Sequence, residues 1–254
     1  MRASWAPLAL VALVVVAGCG GGRSYPEHAT FAGPLVEGSD PAAGAYLFRP
    51  AGKPKGLVIF FHGQGGPEET VPSPHRPWID HLVAEGNAVI YPRYEESYAE
   101  AVIGPAVAGV RTAEKHLDEP GLPVLALGYS RGGGLAVEYA AVAPKEGVPV
   151  PKAVETVNTV AAGDQAQLVD LRPLRHDTVL SLIMSDKDSL GAIGAQALLR
   201  RLRASGFPPG RIQLHLARST PSFVADHAGP MYSSPAARKA YWAPTDALLK
   251  KLSA

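Results

Sequence analysis

Apolar positions along this chain fall into two alternating rhythms. Leu57-Val58-Ile59-Phe60-Phe61 is an unbroken apolar run, as a strand buried on both faces requires. Ala45 to Arg49, Ala88 to Tyr91, Val124 to Leu127, Ala153 to Val157, Thr178 to Met184 and Arg211 to Ala217 read as further strands. In the last of these, Ile212, Leu214 and Leu216 alternate and are expected to point inward. Helical spacing fills the intervals. Pro77 to Glu85 places Ile79, Leu82 and Val83 on one face, and Gly86 stops it. Ser97 and Glu100 form a capping-box pair. A helix with Val107, Val110 and Leu117 inward then runs to Asp118, restarted at Gly104-Pro105. Ile193, Ala197, Leu198 and Leu202 mark another helix, ended by Gly206. A final helical region starts near Ser234-Pro235 and is expected to break at Pro244. Strands alternating with helices predict an α/β domain: a mostly parallel central sheet with helices on both faces. Ligands of such sheets sit beyond the carboxyl ends of the strands.

The N-terminus follows a different pattern. A short basic start, Met1-Arg2, precedes an apolar stretch from Leu8 to Ala17. That stretch is too short to span about 30 Å of hydrocarbon comfortably, so it reads as a secretory signal. Val16-Ala17-Gly18-Cys19 resembles a bacterial lipobox, in which the cysteine is lipidated. The plainer alternative is a signal peptide with an incidental cysteine. Residues 1–18 are therefore assigned to the signal, 19–43 to a tether and lead-in, and 44–254 to the α/β domain. The Gly-rich start of the tether would span on the order of 20 Å over a dozen residues. This places the protein at a bacterial cell envelope, on the non-cytoplasmic side, with the membrane as a partner through Cys19.

Composition narrows the picture further. With 254 residues, 46% of them hydrophobic, the chain suits one α/β domain with a sizeable core. A net charge of +1 gives no electrostatic case for nucleic acid. Cys19 is the single cysteine, so no internal disulfide supports the core. No clustered Cys/His pattern suggests zinc, and oligomeric state is not legible.

The chemistry concentrates at Gly128-Tyr129-Ser130-Arg131-Gly132. A strand precedes this pentapeptide and a helical stretch follows it. A serine at the apex of such a turn is forced out above the sheet, where a base can reach it. Alone, the pentapeptide could equally be a Gly-rich turn opening a helix. A serine nucleophile also needs a base, an orienting acid and an oxyanion hole. Two carboxylates follow the strand ending at Met184, in Ser185-Asp186-Lys187-Asp188. Of eight histidines, only His227 lies beyond the last strand. His215 sits within that strand, and His176 lies at the wrong end of the sheet. After the central apolar run stands His62-Gly63-Gln64-Gly65-Gly66, whose glycines let backbone N–H groups approach a carbonyl oxygen. His62 is a rival base, or a brace for the loop.

These features, in this order, resemble the α/β-hydrolases of the esterase/lipase or dienelactone-hydrolase-like type, from about residue 44 to the end. Trp78 to Pro92 is also similar to the corresponding stretch of the dienelactone-hydrolase-like enzymes, which carry cysteine where this chain has Ser130, so lactone specificity does not transfer. The resemblance implies Ser130 as nucleophile, His227 as base and Asp188 as acid, with Asp186 the alternative. It implies the backbone N–H groups of Gln64 and Arg131 as oxyanion donors, no cofactor or metal, and little or no cap domain. The expected activity is hydrolysis of small-molecule or lipid-like carboxylic esters through an acyl-enzyme. A thioesterase, peptidase or acyltransferase with the same triad, or a non-catalytic envelope lipoprotein, are the alternatives.

Overall fold

Eight strands pair into one sheet among the residues that the computed structural model describes, namely 30–35, 44–64, 71–94, 103–160 and 168–253. They are β1 (Thr30–Leu35), β2 (Ala45–Arg49), β3 (Gly56–Phe61), β4 (Asn87–Pro92), β5 (Val124–Tyr129), β6 (Ala153–Val157), β7 (Val179–Ser185) and β8 (Ile212–Ala217). Their order across the sheet is β1-β2-β4-β3-β5-β6-β7-β8. β4, β3 and β5 to β8 run parallel, while β1 and β2 are antiparallel to their neighbours.

β3 shows why the apolar run is continuous. Leu57, Ile59 and Phe61 enter one core and Val58 and Phe60 the other, because successive side chains point to opposite faces. Helices α2 (Ile103–Leu117), α3 (Arg131–Glu146) and α4 (Ser189–Ala204) cover the first face. Helix α1 (Arg76–Ala84) and the C-terminal helix cover the second, with Trp78 and Trp242 stacked 6.2 Å apart between them. Asp118, where the second helix was expected to end, takes a positive φ of 51° just past α2.

Several expectations need correction. Leu214 and Leu216 are 56% and 47% exposed, not inward. β8 is the edge strand of the sheet. Ile193 lies on α4 as expected but is 60% exposed, while Leu198 and Leu202 carry the helix's packing. The chain does not break at Pro244. The short helix α5 (Pro235–Ala237), capped by Ser234, passes through a π turn at Arg238–Trp242 into α6 (Ala243–Leu252). Pro244 sits in the first turn of α6, directly after the π turn. The stretch assigned to tether and lead-in contains β1, which pairs with β2. The signal segment, Cys19, the Ser97–Glu100 pair and Gly65-Gly66 lie outside the described residues.

Candidate active site

Ser130 stands alone between β5 and α3, with φ 56° and ψ −125°. A non-glycine residue held there costs about 1–3 kcal/mol. The surrounding backbone holds it. Its N–H donates to the Val157 carbonyl at 3.0 Å, and its carbonyl accepts from Val160 and Gly133 at 3.1 and 3.0 Å. Both flanking glycines are sterically required. A Cβ on Gly128 would lie 2.0 Å from the Gly132 carbonyl oxygen. One on Gly132 would lie 2.3 Å from the carbonyl oxygens of Phe61 and His62.

The Ser130 hydroxyl meets His227. Oγ lies 3.0 Å from Nε2, and Nδ1 lies 2.8 Å from Asp188 Oδ2. An ionised Asp188 can only accept, so Nδ1 carries the hydrogen and Nε2 is left to accept from Ser130. The Asp188 side chain is 2% exposed and that of His227 33%, so the relay runs from buried carboxylate to accessible imidazole. Asp188 also caps α4, its Oδ1 accepting from the Gly191 N–H at 2.9 Å. Gly191 makes room for the carboxylate: a Cβ there would lie 2.3 Å from Asp188 Oδ2.

Asp186 faces elsewhere. Its carboxylate accepts from the Ser219 N–H at 3.0 Å and the Ser219 hydroxyl at 2.6 Å. These bonds hold the exposed carboxyl below its ordinary pKa. Asp186 thereby ties the segment after β8 to the end of β7.

The oxyanion candidates are adjacent to the serine. Gly63 follows β3 so closely packed on the turn that a Cβ there would lie 3.3 Å from Ser130 Cβ. Arg131 Nη1 donates to Gln64 Oε1 at 2.7 Å, bridging the residues on the two sides of the hydroxyl. His62 is buried and stacked on Tyr94 at 3.8 Å, with Nδ1 2.6 Å from the Gly63 carbonyl oxygen. It braces the loop. His215 lies half-buried on β8, and His176 packs edge-on to Phe207, ahead of β7. The structure thus gathers Ser130, His227, Asp188, Gln64 and Arg131, and leaves Asp186, His62, His176 and His215 outside the relay. Among the described residues, no group of three or more His, Cys, Asp or Glu side chains could hold a metal ion.

No protein-family model matches the chain, and no curated protein is similar to it in sequence. Solved structures are similar. Esterase B from Lactobacillus rhamnosis superposes with a TM-score of 0.68 at 20% identity, over 91% of this chain and 88% of that one. A bacterial heroin esterase gives 0.62 at 16%, over 92% and 86%. An esterase/lipase from an uncultured bacterium gives 0.59 at 16%, over 91% and 87%. The chain has the α/β-hydrolase fold. The relay lies where this α/β-hydrolase sheet presents the carboxyl ends of its parallel strands: Ser130 after β5, Asp188 after β7 and His227 after β8. Between β6 and β7, the described residues form turns and no helix.

Four polar groups around the relay were not anticipated from sequence: Tyr129, Asn158, Ser185 and Tyr241. The Tyr129 hydroxyl donates to the His227 carbonyl at 3.0 Å. Asn158, fully buried, donates to the carbonyls of Asp226 and His227 at 2.9 and 3.3 Å. Ser185 Oγ donates to Asn158 Oδ1 at 2.8 Å and lies 2.7 Å from the Tyr241 hydroxyl. Burial pushes the Tyr241 hydroxyl up to about 12, so it stays protonated. No local sequence pattern marks them.

Proposed function

We propose that the protein is a serine hydrolase of carboxylic esters. The observation that carries this reading is the continuous relay from Asp188 through His227 to Ser130. The similar solved structures are esterases, which favours an ester over other acyl compounds. His227 Nε2 takes the hydroxyl proton as Ser130 Oγ bonds to the acyl carbon. The carbonyl oxygen becomes an oxyanion that accepts from the backbone N–H groups of Gln64 and Arg131, each worth about 3 kcal/mol in the transition state. His227 then gives its proton to the departing alkoxide, which leaves as the alcohol. Water, deprotonated by His227, releases the acid and restores Ser130. Asp188 holds the imidazole in the required tautomer and stabilises its charged form throughout.

A fluorophosphonate probe combined with a series of p-nitrophenyl esters of graded acyl length tests this. Ser130 is expected to carry the adduct, and Ser130→Ala to lower turnover by about 10⁴-fold or more. An unlabelled serine, with turnover equal in wild type and variant, rejects it. The lipobox-like sequence at Cys19 supports attachment to an envelope membrane. Cys19→Ala is expected to move the protein from the membrane fraction to the soluble one. Unchanged membrane association would reject the anchor.

A further inference from the structure

Asn158 sits in a turn whose atoms meet the surroundings of all three members of the relay. It directly follows β6 and has a positive φ of 47°, a region that asparagine tolerates better than most residues. Its flanking backbone holds the nucleophile: Val157 accepts from the Ser130 N–H, and Val160 donates to the Ser130 carbonyl. Its Cα lies 3.1 Å from where a Gly191 Cβ would stand, so it abuts the helix that Asp188 caps. Its amide hydrogens go to the carbonyls of Asp226 and His227.

The geometry fixes the direction of three hydrogen bonds of this amide. Both partners of Nδ2 are carbonyls and can only accept. Oδ1 accepts the hydroxyl hydrogen of Ser185, and the Tyr241 hydroxyl adjoins both Ser185 and Asn158. Tyr241, Ser185, Asn158 and the His227 carbonyl thus form one buried hydrogen-bonded network. It holds the amide in the orientation that donates to the His227 loop. The Tyr129 hydroxyl donates to the same His227 carbonyl. Gripped by two donors, the His227 backbone has little freedom to carry the imidazole away from Ser130 or Asp188.

We infer that Asn158 is a positioning residue for the proposed reaction, which sets the His227 backbone against Ser130 jointly with Tyr129. The inference rests on the hydrolase reading above. A shift of about 1 Å in a catalytic group can cost about 10²-fold in rate without touching substrate binding.

Asn158→Gly keeps the left-handed turn and deletes both donors. Tyr129→Phe deletes one donor and leaves the ring. Both are compared with wild type for Tm, kcat and KM on p-nitrophenyl acetate, and the rate of fluorophosphonate labelling. Asn158→Gly is expected to lower kcat and the labelling rate by about 10- to 100-fold with KM near wild type. Tyr129→Phe should lower kcat less, and the double variant should depart from additivity, because the two donors share one acceptor. A fall in Tm with wild-type kcat and labelling would overturn the inference, leaving Asn158 a purely structural residue. Should Asn158→Gly fail to fold, Tyr129→Phe with unchanged kcat overturns it alone. A wild-type protein that takes no label instead rejects the hydrolase reading itself, a separate outcome.

Discussion

At the residue scale, the two carboxylates after β7 separate cleanly. Asp186 and Asp188 are two positions apart and share a strand end, yet only Asp188 points to His227. The difference is burial and partners. Asp188 is nearly enclosed and spends its second oxygen on the Gly191 N–H, which fixes its rotamer. Asp186 is exposed and spends both oxygens on Ser219. Asp188→Asn keeps the shape but offers an amide where Nδ1–H needs an acceptor, so the imidazole is driven to the wrong tautomer. It is expected to lower kcat by about 10⁴-fold. Asp186→Asn should leave kcat within a few-fold of wild type and lower Tm slightly, through the loosened Ser219 segment. Steady-state kinetics and thermal denaturation of the two variants decide it. Equal loss of kcat in both would remove the distinction drawn here.

At the scale of elements, the strand–serine–helix turn works because β5, α3 and the end of β3 meet without side chains between them. That makes neighbouring glycines unequal. Gly132→Ala would force its methyl into the Phe61 and His62 carbonyls and push α3 off the sheet, displacing Ser130 with it. Gly134, two residues on, has open space around its Cβ position. Gly134→Ala is expected to raise stability by about 0.5–1 kcal/mol through helix propensity. Gly132→Ala should lose both Tm and activity; near-native behaviour would show that the contact can relax. The central strands and α1 to α4 were legible because burial on both faces, or along one stripe, writes a clear period into the sequence. Edges were not. Leu214 and Leu216 have the period of a half-buried strand but are half-exposed on the sheet's edge strand, and periodicity does not say where a sheet ends. β1 was hidden for a similar reason, since a Gly- and Pro-containing edge strand looks like tether. In the site, Ser130 and His227 were singled out by their places after strand ends together with the resemblance. Choosing Asp188 needed the resemblance to known hydrolases. Asn158 and Tyr241 were not legible, because their roles depend on contacts across the sheet ends that no local pattern encodes.

At the scale of the whole molecule, one buried charge couples stability to pH. Glu155 lies in β6 with its side chain fully enclosed, and its carboxylate accepts from the Ser181 hydroxyl at 2.9 Å and from the Thr245 hydroxyl of α6. Burial raises its pKa from 4.5 to about 7; the two hydroxyls oppose the rise and nearby Asp246 adds to it. The folded protein therefore holds a proton between about pH 4.5 and 7 that the unfolded chain has released. Folding is favoured by this group below that window, and the advantage disappears as pH climbs through it. The loss is on the order of 3 kcal/mol by pH 8, from the size of the shift. Glu155→Gln keeps the volume and an acceptor oxygen but cannot ionise. All other titrating groups are common to both proteins, so the difference between their Tm–pH curves isolates Glu155. The variant is expected to match or fall slightly below wild type at pH 5, then overtake it by roughly 6–12 °C at pH 8. Parallel curves would mean that Glu155 has the same proton affinity folded and unfolded. In that case the polar pair Ser181 and Thr245 solvates the carboxylate as well as water does, and the contact between β6 and α6 tolerates a full charge in the core.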